Sequence, residues 1–452
     1  MKRSYEIDMC NGPILGKIFK FALPLALSGI LQLLFNAADI VVVGQFTGSS
    51  ALAAVGSTGA LINLIINVFI GLSTGANVLA AQYYGARRNQ DLSEIVHTAV
   101  LTSVVSGCVL IVIGIALARP LLALMGTPPD VLDQAVLYMQ IYFAGMPVIM
   151  LYNFGAAILR AVGDTRRPLY FLVIAGAINV VLNLFFVIVC HLGVAGVAIA
   201  TVISQVVSAA LVVLCLMRTD SVYKLELKKL RLSRDKLVAM CRIGLPAGVQ
   251  GAVFSISNVL IQSSVNSFGS VAMAGNTAAS NLEGFVYTSM NALYQTSLSF
   301  TSQNIGAGHI ERIRKILWQC LAVVTGVGLV MGLACLLFGQ QLLGIYSPDP
   351  EVIQYGMLRM VIIMPTYFTC GIMEVICGSI RGLGYSVVPT IVSLAGACGL
   401  RILWIYTIFI WDHTLNSLYI SYPVSWIITA LAHLTAYTIF MHRLKKKMQQ
   451  PA

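Results

Sequence analysis

Residues 20–48 read KFALPLALSGILQLLFNAADIVVVGQFTG. The stretch has the length and apolar content of a transmembrane helix, yet it holds a proline, Pro24, and one acid, Asp39. Asn36 stands one turn ahead of Asp39, and Val41, Val42 and Val43 follow it, so the acid lies in apolar company rather than in a loop. Gly44 and Gly48 mark the end of the run. A carboxylate at such depth costs about 2.5–3.5 kcal/mol on insertion scales. A chain that keeps one there commonly uses it to carry a proton, hold an ion or meet a substrate; the bland alternative is a hydrated acid near a helix end.

The rest of the chain reads as machinery around this residue. Of 452 residues, 58% are hydrophobic and 10% charged, against about 25% charged in a soluble protein. Residues 98–118, 168–190, 192–217 and 243–282 contain no Asp, Glu, Lys or Arg. Each is long enough for a spanning helix of about 20 residues, and the last holds most of two. The alternating segments of an outer-membrane barrel are absent from the pattern. The fold class expected is an all-α polytopic membrane protein with twelve transmembrane helices. The spans are placed near 17–41, 51–75, 94–118, 135–159, 168–190, 193–217, 239–265, 277–302, 315–340, 357–380, 388–411 and 417–441.

The net charge of +11 is distributed as a topology signal and not as a nucleic-acid footprint. With the N-terminus inside, 25 of the 28 Lys and Arg fall on the inner side, Arg119 and Arg359 fall outside, and Arg401 lies within a span. That is the positive-inside pattern with both termini cytoplasmic in a multi-pass cell-membrane protein. Membrane lipids are the expected neighbours, with some attraction between the basic loops and anionic lipid, and nucleic acid is not an expected partner. The ten cysteines show no CxxC pair, so neither disulfides nor a metal site is expected. Glu6 and Asp8 precede the first span, which does not fit a secretory signal peptide.

The sequence repeats itself. Gln82-x-x-Gly85-Ala86 recurs 221 residues on as Gln303-x-x-Gly306-Ala307, and Arg160-x-x-Gly163 with Pro168 recurs at the same offset as Arg381-x-x-Gly384 with Pro389. Pro24 and Phe46 match Pro246 and Phe268 at 222. The chain therefore divides into two pseudo-symmetric six-helix bundles, 1–218 and 239–452, joined by a charged cytoplasmic linker, 219–238. An even number of helices per half gives a repeat axis along the membrane normal, an arrangement that suits alternating access to a central cavity. Pro147 and Pro365 fall inside spans and predict kinks, since proline removes a backbone donor. Gly71-x-x-x-Gly75 predicts close helix packing.

Few ionisable groups lie within spans: Asp39, Glu283, Glu374 and Arg401. Asn179 and Asn183 are four residues apart and share a helix face, which either tunes Asp39 or makes ordinary interhelical bonds. Asp39 has no counterpart in the second half, where the offset lands on Ile261. Glu374 is a second ionisable site, or the ion-pair partner of Arg401; Glu283 lies near the outer surface and reads as hydrated.

Together, Pro24, Asn36-x-x-Asp39-x-x-x-x-Gly44, Ala53-Ala54-x-Gly56, Gln82-x-x-Gly85-Ala86, Arg160-Ala161-x-Gly163-Asp164 and their second-half copies resemble the multidrug and toxic compound extrusion (MATE) family. The resemblance covers nearly the whole chain. It implies a secondary antiporter, not an enzyme, which exports cationic or amphipathic small molecules in exchange for protons or sodium and works without a cofactor as a monomer. It makes Asp39 the cation-coupling acid, with Asn179 and the position of Asn183 as its partners on the fifth span. Asn36, Asn179 and Asn183 are the expected oxygen donors to a sodium ion at Asp39, and Pro24 is the expected hinge. The family pattern has an Asp on the fifth span where this chain has Asn183, and residues 254–257 lack the acid that one branch carries. The competing classes are a lipid-linked oligosaccharide flippase, disfavoured by a membrane interior with Arg401 as its one cation, and an intramembrane enzyme, for which no HExxH, GxSxG or P-loop motif is present.

Overall fold

The structure, a computed structural model, describes residues 5–449, and helix is its only regular structure. The helices are α1 (Ile14–Phe46), α2 (Ser49–Gly85), α3 (Asn89–Leu124), α4 (Pro129–Ala144), α5 (Met146–Ala161), α6 (Arg166–Leu184) and α7 (Gly193–Arg218). They continue as α8 (Arg234–Asn266), α9 (Ser270–Gly306), α10 (Ile310–Leu337), α11 (Gly339–Tyr346), α12 (Pro350–Ile363), α13 (Phe368–Gly382), α14 (Val387–Ser393), α15 (Leu400–Tyr406), α16 (Ile408–Trp411) and α17 (Leu415–Gln449).

Among the described residues, nine helices are long and apolar enough to cross a membrane, or eleven when two bent pairs are each taken as one span. The eighth span expected at 277–302 lies in α9, whose 37 residues are ample in length but rich in Ser, Thr and Asn. The bent pairs are α4 with α5, at 50°, and α12 with α13, at 48°. Both breaks fall beside the prolines expected to make them, Pro147 and Pro365, each of which withdraws an N–H from the helical ladder. Pro24 and Pro246, by contrast, sit inside unbroken helices of 33 residues each. Several helices run well past the expected span ends. Charged onsets such as Asn89–Glu94 continue the helix beyond the apolar run, where a boundary read from charge stops too early.

The internal repeat is legible in the backbone. Helices α2 and α9 have the same 37-residue length, and each follows a glycine in the left-handed region, Gly48 at φ 99° and Gly269 at φ 98°. Gly163 and Gly384, both at φ 96°, form a second matched pair. A Cβ at Gly163 would meet the backbone of Ile7, so the position suits glycine for space as well as for φ.

The chain forms two compact units. One comprises the chain up to Asp8 together with Leu27–Ala252; the other comprises Met9–Ala26 and the chain from Val253 on. In the first unit α3 packs on α2, α4 and α5, and α6 packs on α7. Gly71 and Gly75 lie directly against the backbones of Gly248, Gly244 and Met240 on α8, contacts that leave no room for a Cβ. In the second unit α9 packs on α10, α12 and α13, and α13 packs on α17. Residues 219–233 hold one short 3-10 turn, Leu227–Lys229, and are tied to α3 by His97, whose Nε2 accepts from the Glu226 N–H at 3.0 Å.

Candidate functional site

Asp39 lies in the C-terminal half of α1 and is 9% exposed. Its partner comes from α6. The Asn183 Nδ2 group donates to Asp39 Oδ1 and also to Asn179 Oδ1 at 3.2 Å, so one amide links the acid to the residue a turn earlier. Asn179 Nδ2 in turn donates to the Thr201 hydroxyl on α7 at 3.4 Å, and Thr201 donates to the Val197 carbonyl at 3.0 Å. The four-residue spacing of Asn179 and Asn183 makes this chain possible, because it places both amides on one helix face. Directly after Asn183, α6 widens into a π-turn, Phe185–Val189, a form often found at functional positions.

Tyr138 and Tyr142 on α4 also face Asp39, and their rings stack on each other at 6.1 Å. The acid thus has an amide on one side and phenol rings nearby. The Asn183 Oδ1 atom is fully buried and has no hydrogen-bond partner. The cluster therefore holds a carboxylate, a donor that favours its charged form, and an idle acceptor oxygen on the same amide. Rotation of that amide would present oxygen in place of N–H to Asp39. Such an arrangement tells apart a charged and a neutral carboxylate.

The structure joins Asp39, Asn179 and Asn183, and leaves Asn36 exposed on α1. Thr201, Tyr138 and Tyr142 were not singled out from sequence. The four-residue spacing of the two tyrosines was an available signal, whereas nothing distinguished Thr201 among the small residues of its span.

In the second unit the sequence reading needs correction. Arg359 is not in an outer loop and Glu283 is not hydrated: both are buried, and Arg359 Nε and Nη2 donate to the two Glu283 oxygens at 2.7 Å each. Arg359 Nη1 also donates to Asn276 Oδ1 at 2.8 Å, and the Tyr419 hydroxyl donates to the same oxygen at 3.1 Å. A planar guanidinium fork matched to a carboxylate makes so deep a location tolerable. The expected pairing of Glu374 with Arg401 is also absent among the described residues. Glu374 is buried in α13 facing Arg381 and Tyr287, while Arg401 Nε donates to the Ser425 hydroxyl at 2.8 Å.

Asn179→Ala removes the middle of the amide chain while leaving the Asn183–Asp39 bond in place. On the coupling role that the family resemblance implies for Asp39, transport in liposomes is expected to fall about threefold or more, since Asn179 both accepts from Asn183 and donates to Thr201, with the protein still folded. Unchanged coupled transport would reduce Asn179 to a packing residue.

The chain is 28% identical over 440 residues to a probable multidrug resistance protein, YoeA, of Bacillus subtilis, covering 94% of this chain and 93% of that one. It is 26% identical to an FAD transporter of Shewanella oneidensis, with 80% and 81% covered. Among solved structures, the outward-facing conformation of a multidrug resistance MATE family transporter of the MOP superfamily superposes with a TM-score of 0.91 at 21% identity, covering 99% of this chain and 100% of that one. The MatE family profile matches twice, over residues 24–185 and 246–407, once in each half of the repeat, and the chain belongs to the MatE family.

Proposed function

We propose that the protein is a secondary antiporter that exports cationic or amphipathic drug-like compounds and is driven by a cation taken up at Asp39. Its membrane-embedded helices and its similarity to proteins named for multidrug resistance support the export reading. The coupling reading is carried by one observation: a buried acid within a membrane-spanning helix of the first unit, hydrogen-bonded to Asn183. An acid so placed changes its surroundings when it gains or loses charge, because the Asn183 amide favours the charged form.

A proton requires only the carboxylate. Sodium would need several oxygens, and Asn183 would have to turn its Oδ1 toward Asp39 to supply one. The Asn at 183, where the family pattern has an acid, leaves one charge fewer to offset a metal ion. We therefore favour the proton. Exchange follows if substrate and proton bias one conformational equilibrium in opposite directions.

The test is transport of rhodamine 6G by purified protein in proteoliposomes, under a proton gradient or a sodium gradient imposed separately. Accumulation driven by the proton gradient alone is expected. Accumulation driven only by sodium would overturn the proton assignment, and none under either gradient would overturn export.

The charge distribution further supports a cell-membrane location with both termini cytoplasmic. Cysteine labelling from outside is expected to reach probes at Thr47 and Asp349 and to miss probes at Arg88 and Lys229. The opposite labelling pattern would reverse the orientation.

A further inference from the structure

Arg401 lies in the second unit at the start of α15 and is 7% exposed. Its Nε is satisfied by Ser425, but among the described residues its two Nη groups donate to nothing. The guanidinium carbon sits 4.2 Å from the centre of the Tyr422 ring and 5.4 Å from that of Trp426. Among the described residues no carboxylate is hydrogen-bonded to it. Arg359, of the same sign, faces it, and the Arg359 guanidinium carbon is 5.1 Å from the same Tyr422 ring. Glu283 neutralises Arg359 through both oxygens and leaves none for Arg401. Two guanidinium groups thus share one aromatic ring with one carboxylate between them. A buried charge without a counter-charge is expensive, and cation–π contact recovers only part of that cost.

A second unpartnered group stands in the same neighbourhood. Ser257 on α8 is 2% exposed, and its hydroxyl oxygen has no hydrogen-bond partner. It borders the Cys398 thiol, which faces Arg401.

The position of Arg401 in the repeat is informative. The two family matches end at 185 and 407, which puts Asn179 and Arg401 six residues before each end. Just before Arg401 the chain widens into a π-turn, Leu394–Gly399, and the added residue moves the repeat offset from 221 to 222. Across the α7 and α17 counterparts the offset of 221 matches Thr201 with Tyr422 and Ser204 with Ser425. The Asn179–Thr201 hydrogen bond of the first unit therefore corresponds to the Arg401–Tyr422 contact of the second. One half holds its polar cluster around an acid and the other holds the equivalent cluster around a base.

We propose that Arg401, with Ser257 and the rings of Tyr422 and Trp426, is the docking point for an acidic group, a carboxylate or phosphate, carried on an aromatic export substrate. The proposal rests on the export reading above and adds to its substrates amphipathic aromatic compounds that bear an anionic group. The free Nη fork matches a carboxylate or phosphate edge, Ser257 supplies a further donor, and the indole and phenol rings take the aromatic part.

Binding is measured with the full-length protein in detergent by fluorescence anisotropy, using carboxyfluorescein as the anion and rhodamine 6G as the cation on a similar ring system. Arg401→Gln is expected to weaken carboxyfluorescein binding about tenfold or more while rhodamine 6G stays within about twofold; Arg401→Lys, which keeps charge without the fork, falls between. Ser257→Ala, a change too small to unfold the protein, is expected to weaken the anion alone by about threefold. Equal weakening of both dyes would make Arg401 a tether between α15 and α17 and overturn the proposal. So would an unchanged anion affinity in both the Arg401→Gln and Ser257→Ala variants, or no carboxyfluorescein binding by the unmodified protein. Failure of the export reading registers separately, as carboxyfluorescein binding without rhodamine 6G transport in liposomes.

Discussion

Asp39→Asn is expected to abolish gradient-driven export while the protein still folds and inserts. Asparagine has nearly the volume of aspartate, so it fits the same space beside Asn183. What is lost is titration. With a fixed neutral side chain, the amide chain from Asn183 through Asn179 to Thr201 receives the same signal on both sides of the membrane. A ligand shifts an equilibrium only by its differential affinity for the two states, and a proton with no site has none. The steady-state ratio of rhodamine 6G across the liposome membrane should therefore fall to about 1, while downhill movement and dye binding persist. If the variant still concentrates dye, coupling resides elsewhere, and Glu374 becomes the next residue to change.

The parts of this site that sequence revealed are those whose partners are close in sequence or whose chemistry is rare. An acid in an apolar helix stands out by its cost, and Asn179 and Asn183 stand out by their spacing. The repeat was visible because glycines such as Gly163 and Gly384 occupy left-handed backbone that other residues avoid. The proline breaks at Pro147 and Pro365 followed from the missing N–H. Pairings made across the fold were hidden. Arg359 and Glu283 lie 76 residues apart, and a charge near the start of a helix reads as a loop residue until its partner is placed. The π-turns at Phe185–Val189 and Leu394–Gly399 were equally hidden, since one added residue in a helix leaves no mark on an apolar run. Their consequence is large, because the second turn sets which residue of one half corresponds to Asn179 of the other.

Breaking the Glu283–Arg359 pair is expected to destabilise the protein strongly. Both side chains are buried, and the pair is bidentate. Arg359→Met keeps length and apolar volume but leaves the Glu283 carboxylate without its two Arg359 donors and the Asn276 carbonyl with Tyr419 alone. Removing one partner of such a pair costs about 3–5 kcal/mol, chiefly from the charge left behind. Glu283→Gln should cost a similar amount by leaving the Arg359 charge uncompensated beside Arg401, with Asn276, Tyr419 and Tyr422 as its remaining contacts. The double variant Glu283→Gln/Arg359→Met removes both charges together, and it is expected to recover most of the loss, since neutral replacement of a buried pair is often tolerated. Thermal unfolding in detergent, followed by helical circular dichroism, checks the order: each single variant well below the parent, and the double variant near it. Single variants as stable as the parent would mean that water reaches the pair. A double variant no better than the singles would shift the stabilisation from the charges to the Asn276 and Tyr419 network around them.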